Sequence, residues 1–188
     1  MSRVFIEPIP SEEELLQTAT AEDIAIVEQF GSAHRRREVL AWRVIVRREL
    51  GGDCKIKIGY DEWGAPEVSL PKIYISVSHS REVVAVIIGS EPCAIDIEEC
   101  GRNFGVVAER FTTAQERTLS NEEDWLAKLW CAKEALYKYY RKGGVEISED
   151  IKILGYNADS TSLQASVLGT LLEVKVERLG EYIVAIID

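Results

Sequence analysis

The chain has 188 residues, of which 46% are hydrophobic and 29% charged, which is typical of a folded globular protein rather than of a disordered segment or coiled coil. Thirty-two acidic residues against 22 basic ones give a net charge of −10, which argues against non-specific binding to nucleic acid or to membranes. We therefore expect neither as a partner, and an anionic ligand would need a local basic patch.

Cysteine and histidine usage gives little support for a structural zinc site. The four cysteines and two histidines are scattered along the chain without a C-x-x-C pair. The first eight residues lack the apolar segment of a secretion signal, and no run approaches the roughly 18 apolar residues of a membrane span. We therefore predict reduced thiols that fill the core, and a cytoplasmic location.

Three helices are predicted before residue 51. Ser11, followed three residues later by Glu14, has the form of a capping box that opens a short first helix. A second helix is predicted over residues 22–30. The third, over 33–50, has apolar residues at near-helical spacing, ends at a pair of glycines, and is the most basic segment of the chain.

Strands are predicted after these helices. Apolar and polar residues alternate over 54–58, which predicts a half-buried strand, and the glycines and prolines of 59–71 predict a loop. Three apolar runs then follow with short turns between them, which predicts mainly antiparallel strands of one sheet. These runs cover residues 73–77, 83–88 and 94–97.

The rest of the chain repeats the order of helices followed by strands. A helix is predicted over 103–110, and another over 122–142. Between them, Thr113 and Glu116 have the form of a capping box that opens a short helix. Strands are predicted over 151–154, 163–167, 171–177 and 182–187. This order predicts an α+β fold of two similar α/β halves, residues 1–100 and 101–188, packed as a pseudodimer with mainly antiparallel sheets.

Two carboxylates stand close together on the predicted strand 94–97. Residues two apart on a strand face the same way, so Asp96 and Glu98 should project side by side. Adjacent carboxylates repel one another unless solvent or a cation screens them. A Mg²⁺ ion, which prefers oxygen ligands, would explain the pair, and a solvated strand end is the alternative.

The helix predicted over 122–142 carries polar residues in line with an aromatic one. Trp130, Glu134 and Lys138 follow at steps of four and therefore share one face. Glu134 and Lys138 could form an ordinary surface ion pair. The tryptophan on the same face argues against full solvation and suits the wall of a site.

Two further segments could bind an anion. His79 stands between Ser78 and Ser80 where a predicted strand runs into a turn, without the G-x-S-x-G of a hydrolase nucleophile, and suits a phosphate better. Residues 34–49 contain six arginines and two glutamates, a local excess of four positive charges. Arginine binds phosphate oxygens bidentately. An exposed turn histidine and a solvated amphipathic helix are the alternatives.

Together, these segments resemble a known family in their order and spacing. They are R-R-R-E-V-L-A-W-R at 35–43, G-A-P at 64–66, S-V-S-H-S at 76–80, A-I-D-I-E at 94–98, R-F-T-T-A-Q-E at 110–116 and W-C-A-K-E-A-L-Y-K at 130–138. The chain resembles the 4′-phosphopantetheinyl transferases, most closely the pseudodimeric, surfactin-synthetase-activating type. Ala65 departs from the pattern, because the family usually has a basic residue there.

The resemblance implies an enzyme that moves the 4′-phosphopantetheine group of coenzyme A to a serine of an acyl or peptidyl carrier protein. It implies Mg²⁺ dependence, release of adenosine 3′,5′-bisphosphate, and a place in fatty-acid or secondary-metabolite biosynthesis. The expected partners are coenzyme A and an apo carrier protein, and the resemblance places the carrier contacts at residues 104–111. The protein itself is expected to be a monomer. A Mg²⁺-dependent phosphohydrolase and a non-catalytic coenzyme A-binding module are the alternatives.

The resemblance also implies roles for single residues. The implied Mg²⁺ ligands are Asp96, Glu98 and Glu134. The proton of the carrier serine would pass to Glu134 or Glu116. Lys138 would stabilise the leaving bisphosphate. The implied phosphate contacts are Arg35, Arg36, Arg37 and His79, with Lys133 as a weaker candidate.

Overall fold

The computed structural model describes residues 1–51, 56–141 and 143–188. Its contacts divide the chain into two units, Met1–Pro92 and Cys93–Asp188. The division therefore precedes the D-I-E segment, whereas the predicted boundary followed residue 100. Cys54, at the start of the predicted alternating strand, lies outside the described residues.

The first unit combines helices with a small antiparallel sheet. Its elements are β1 (Arg3–Pro8), α1 (Glu12–Thr18), α2 (Ala21–Val27), α3 (Ala33–Glu49), β2 (Ile58–Tyr60), β3 (Pro66–Val68), β4 (Tyr74–Ser80) and β5 (Val83–Gly89). β5 lies between β1 and β4 and is antiparallel to both, while β2 and β3 form a separate antiparallel pair. Two of these strands, β1 and β3, were not predicted.

The helices of this unit form where the capping residues predict. Ser11 and Glu14 make the reciprocal bonds of a capping box at the start of α1, which confirms that prediction. The basic helix α3 buries Leu40 and Val46 in one core cluster with Val84 and Val86 of β5. Because the burial of these side chains stabilises the unit, α3 is held against the sheet that carries His79.

The second unit packs one long helix on a larger sheet. Its elements are β6 (Ala94–Glu99), a 3₁₀ helix (Phe104–Arg110), α4 (Ala114–Arg117), α5 (Trp125–Tyr140), β7 (Ile151–Asn157), β8 (Ser162–Val167), β9 (Thr170–Leu179) and β10 (Tyr182–Ile187). The strand order is β6-β10-β9-β8-β7, and each neighbouring pair is antiparallel.

The prediction that residues 94–97 share a sheet with 73–77 and 83–88 was wrong. β6 pairs with β10, so it belongs to the second unit. A short turn between two apolar runs favours pairing but does not require it, and here the later strand β10 provides the partner. The α+β class and the antiparallel sheets were predicted correctly. None of the helices in the described part of the chain has the length and apolar character that crossing a bilayer requires.

Candidate active site

The register of β6 against β10 explains which way the two carboxylates face. Asp96 lies opposite Ala185, and Glu98 lies opposite Ile183. Opposed residues of an antiparallel pair point to the same face. Ile183 and Ala185 are both fully buried in the core cluster that contains the apolar residues of α5. The two carboxylates therefore project from the face of the sheet that α5 covers.

The face of α5 that carries Trp130, Glu134 and Lys138 lies against these carboxylates. Trp130 Nε1 donates to Glu98 Oε1 at 2.8 Å, and Lys138 Nζ donates to Asp96 Oδ1 at 2.6 Å. Glu134, which is partly buried, lies one turn from each of these two α5 residues. The structure thus brings together all five residues that the two sequence motifs contribute. The predicted shared face of α5 is a wall of this cluster, not an exposed surface.

Like charges crowd within this cluster. Burial raises the pKa of Glu98, and the neighbouring Asp96 charge raises it further. Burial also raises the pKa of Glu134, followed by the charge of Asp96, although Lys138 acts in the opposite direction. These raised pKa values mean that the ionised forms of Glu98 and Glu134 are destabilised, and a nearby cation would stabilise them. The cluster is therefore suited to a positive charge.

Asp96, Glu98 and Glu134 offer carboxylate oxygens, the donor type that Mg²⁺ prefers. In residues 1–51, 56–141 and 143–188, no three His, Cys, Asp or Glu side chains converge closely enough to form a metal site by themselves. Asp96 is instead turned towards Lys138, and Glu98 accepts from Arg102 Nη1 at 2.9 and 3.1 Å. The donor chemistry fits Mg²⁺, and the metal site remains a prediction.

Arg102 is a member of the cluster that the sequence analysis missed. Its guanidinium lies 5.0 Å from the Phe104 ring centre and 5.8 Å from that of Trp130. It follows Glu98 by four residues, but that spacing signals contact only within a helix, and here a turn separates the two.

Glu116 and Lys133 lie in the core instead of at this cluster. Glu116 is 3% exposed and Lys133 is fully buried, and Lys133 Nζ is 2.8 Å from Glu116 Oε1. The ammonium also donates to the Ile151 carbonyl at 2.8 Å. Burial lowers the pKa of Lys133, while Glu116 raises it. The phosphate contact suggested for Lys133 is not supported, because the side chain has no exposed surface.

The carboxylate oxygens of Glu116 also hold backbone groups. Oε1 accepts from the Ile153 amide at 2.8 Å, and Oε2 accepts from the Thr113 amide at 2.7 Å. The second bond belongs to the predicted capping box of α4, which is confirmed. Glu116 thus links α4, α5 and β7, and both of its carboxylate oxygens are engaged by contacts within the second unit.

The basic segment of α3 does not form one continuous phosphate-binding surface. Arg36 pairs with Glu12 at 2.6 Å, and Arg37 pairs with Glu82 at 2.6 Å, so both hold parts of the first unit together. Successive residues of a helix point about 100° apart, and three neighbouring arginines therefore reach different partners. This placement does not support joint binding of one ligand by Arg35, Arg36 and Arg37.

Two further arginines of α3 are buried. Arg43 and Arg47 both contact the carboxylate of Asp23, each with Nε at 2.6 Å from an oxygen. Asp23 is fully buried and lies in α2, so this cluster joins α2 to α3. These two arginines stabilise the interior of the unit, so part of the positive charge that the sequence concentrates in α3 is buried and paired with Asp23.

Arg35 and His79 are the predicted phosphate contacts that the structure places together. Arg35 Nη1 lies 2.9 Å from His79 Nε2, which joins the start of α3 to β4. The Arg35 side chain is 47% exposed and that of His79 is 33% exposed. Both side chains therefore remain accessible to a ligand.

Comparisons with known proteins agree with these features. A family model described as the 4′-phosphopantetheinyl transferase superfamily matches residues 92–187, about half of the chain, and the chain belongs to that superfamily. The resemblance in the motifs is thus confirmed. The matched region contains the Asp96, Glu98, Glu134 and Lys138 cluster.

Two curated relatives carry the same activity in their names. The chain is 29% identical over 120 residues to the 4′-phosphopantetheinyl transferase ffp of Bacillus subtilis, a match that covers 59% of this chain and 54% of the relative. It is 33% identical over 87 residues to the 4′-phosphopantetheinyl transferase psf-1 of Bacillus pumilus, covering 43% of this chain and 37% of the relative. The matches thus span about half or less of each relative.

Proposed function

We propose that this protein transfers the 4′-phosphopantetheine group of coenzyme A to a serine hydroxyl of an acyl or peptidyl carrier protein. The observation that carries the proposal is that Asp96 and Glu98 of β6 lie in one partly buried cluster with Glu134 and Lys138 of α5. Membership of the superfamily supports the same activity. In the reaction, the serine oxygen bonds to the phosphorus that carries pantetheine, and the bridge of the diphosphate breaks to release adenosine 3′,5′-bisphosphate.

Mg²⁺ is the proposed cofactor, held by Asp96, Glu98 and Glu134. A bound Mg²⁺ ion would neutralise the negative charge that develops on the diphosphate. The crowding of these carboxylates supports a divalent cation, because the charge of Asp96 raises the pKa of both Glu98 and Glu134, and the charge of Glu98 also raises that of Glu134.

Glu134 is the proposed acceptor of the serine proton. Of the two candidates, Glu116 has its carboxylate committed to Lys133 and two backbone amides, whereas Glu134 lies in the cluster. Lys138 is proposed to stabilise the leaving bisphosphate, because its ammonium already serves as the counter-charge of Asp96 at 2.6 Å. An ammonium in this position can stabilise a phosphate oxygen as charge builds up on it.

The carrier protein is proposed to dock at the 3₁₀ helix of the second unit. A groove of about 470 Å³ runs beside this helix, lined by Val106, Arg110, Arg117 and Leu126 among others. Val106 beside the groove is 77% exposed, so an apolar side chain is available there for contact with a partner. Among the described residues, the exposed Arg110 and the half-exposed Arg117 outnumber the one carboxylate that lines the groove, Glu109, and this local positive charge suits an acidic carrier even though the whole chain carries −10.

A cytoplasmic location and a monomeric state remain part of the proposal. Cys93 and Cys131 are buried, as expected of thiols that fill the core.

The direct test is to incubate the protein with coenzyme A, Mg²⁺ and an apo carrier protein, and to weigh the carrier by mass spectrometry. We expect the carrier to gain about 340 Da, one phosphopantetheine group. Chelation of the metal should abolish the gain. An unchanged carrier across acyl and peptidyl types, accompanied by release of inorganic phosphate from small phosphoesters, would indicate a phosphohydrolase instead.

A further inference from the structure

A buried carboxylate lies among the basic side chains at the start of α3. Glu38 is 6% exposed, and its Oε1 lies 2.9 Å from His79 Nδ1 and 3.0 Å from His34 Nε2. Its Oε2 accepts a hydrogen bond from Arg35 Nη1 at 3.1 Å. One acidic group therefore contacts three basic side chains, and the family resemblance implies that two of them, Arg35 and His79, bind phosphate.

The contacts of His79 determine where its ring proton lies. Nε2 of His79 is 2.9 Å from Arg35 Nη1, and a guanidinium nitrogen can only donate a hydrogen bond. Nε2 must therefore be the acceptor, and the proton of the neutral ring sits on Nδ1, from which it is donated to Glu38. An imidazolium would place two donors face to face at Nε2. The arrangement thus selects one tautomer of the neutral ring.

The same carboxylate also fixes the orientation of Arg35. The hydrogen bonds that the Arg35 side chain makes to residues in the described ranges all come from Nη1, which contacts both Glu38 and His79. This use of Nη1 leaves the edge formed by Nε and Nη2, which has the geometry for two oxygens of one phosphate. The side chain is 47% exposed, so a ligand can reach it.

We infer that Glu38 is a positioning residue that orders Arg35 and His79 for a phosphate group of coenzyme A. The inference rests on the proposed function. If Glu38 acted only through its charge, it would repel an anionic ligand, and its neutralisation would strengthen binding. If Glu38 positions Arg35 and His79, its neutralisation releases both side chains and weakens binding. The two effects have opposite signs, which makes the inference testable.

The test measures coenzyme A binding by calorimetry for the wild type and for Glu38→Gln, because glutamine keeps the shape but cannot accept from all three basic groups. We expect binding to weaken about tenfold, the effect of one lost charge-assisted contact. Glu49→Gln, in the last turn of the same helix, is the matched control and should bind normally. Unchanged or tighter binding by Glu38→Gln would overturn the inference. A wild type that does not bind coenzyme A would instead refute the proposed function.

Two further measurements identify the phosphate and guard against loss of folding. If the 3′-phosphate is the group held, Glu38→Gln should bind 3′-dephospho-coenzyme A as well as the wild type does; an equal loss for both ligands assigns the diphosphate. Nitrogen-15 NMR of the wild-type His79 ring should show a neutral ring protonated at Nδ1. A ring protonated at Nε2 would refute the inference without any variant.

Discussion

Replacement of Asp23 by asparagine should strongly destabilise the first unit. Asp23 is fully buried, and its two oxygens accept from Arg43 Nε and Arg47 Nε, each at 2.6 Å. An asparagine keeps one acceptor oxygen and loses the charge, so the two guanidinium groups are left without their buried counter-charge. Breaking a buried ion pair on one side costs about 3–5 kcal/mol. We expect the free energy of unfolding to fall by that amount at neutral pH.

The effect should depend on pH in a direction that the structure sets. Burial alone raises the pKa of Asp23, but hydrogen bonds from Arg47, Thr20 and Arg43 outweigh it and hold the pKa at about 2, compared with 3.8 ordinarily. This difference corresponds to about 2.4 kcal/mol. Because the folded pKa lies below the unfolded one, this stabilisation is present above pH 3.8 and is lost as the pH falls towards 2.

Urea unfolding followed by tryptophan fluorescence, repeated from neutral pH down to pH 2, measures the effect. The difference between wild type and Asp23→Asn should shrink by about 2 kcal/mol between neutral pH and pH 2, because at pH 2 the native carboxylate is half protonated and the unfolded one almost fully protonated. Glu13→Gln, at an exposed position of α1, is the control and should show no such change. A difference that stays constant across this range would refute the electrostatic reasoning.

Three other predictions concern the second unit. Glu116→Gln should lower the free energy of unfolding of this unit by about 3–5 kcal/mol in urea, because Lys133 loses its buried counter-charge. The double variant with Lys133→Met should recover part of that loss. If Glu116→Gln folds but loses all transfer activity, Glu116 is the proton acceptor instead. Asp96→Asn should abolish transfer and keep the circular dichroism spectrum of the wild type, because the relief of repulsion from Glu98 and Glu134 offsets the loss of the ion pair with the partly exposed Lys138, and no cavity opens. Unfolding of this variant without metal would show that Asp96 is structural. Val106→Glu should raise KM for an acidic carrier, because it adds a negative charge at the proposed docking surface. Leu171→Glu, at a similarly exposed position, is the control and should leave KM unchanged. Equal KM values for the two variants would contradict docking at the 3₁₀ helix.

Local sequence signals predicted the helices and the composition of the cluster. The capping boxes at Ser11 and Thr113 form as expected, since each depends only on residues three apart. The spacing of Trp130, Glu134 and Lys138 likewise predicted a shared face, because that face follows from helix geometry alone. Features determined within one turn of helix or a few residues of strand could thus be predicted.

Long-range pairing and the partners of single charges could not be predicted. β6 joined β10 rather than the strand just before it in the chain, and nothing in the sequence around Asp96 specifies that partner. The edge strand β1 is largely exposed and lacks the clear alternation of a half-buried strand. An arginine count likewise shows neither that Arg43 is buried on Asp23 nor that Arg37 reaches Glu82.

The pairing of β6 with β10 also has a consequence for biosynthesis of the protein. β6 lies at one edge of its sheet, and β10, its neighbour there, is the last strand of the unit to leave the ribosome. Until β10 is available, β6, which carries Asp96 and Glu98, lacks the strand that it pairs with in this sheet. All the proposed catalytic side chains are therefore synthesised before the strand that pairs with β6, and we expect their cluster to form only once β10 has joined the sheet.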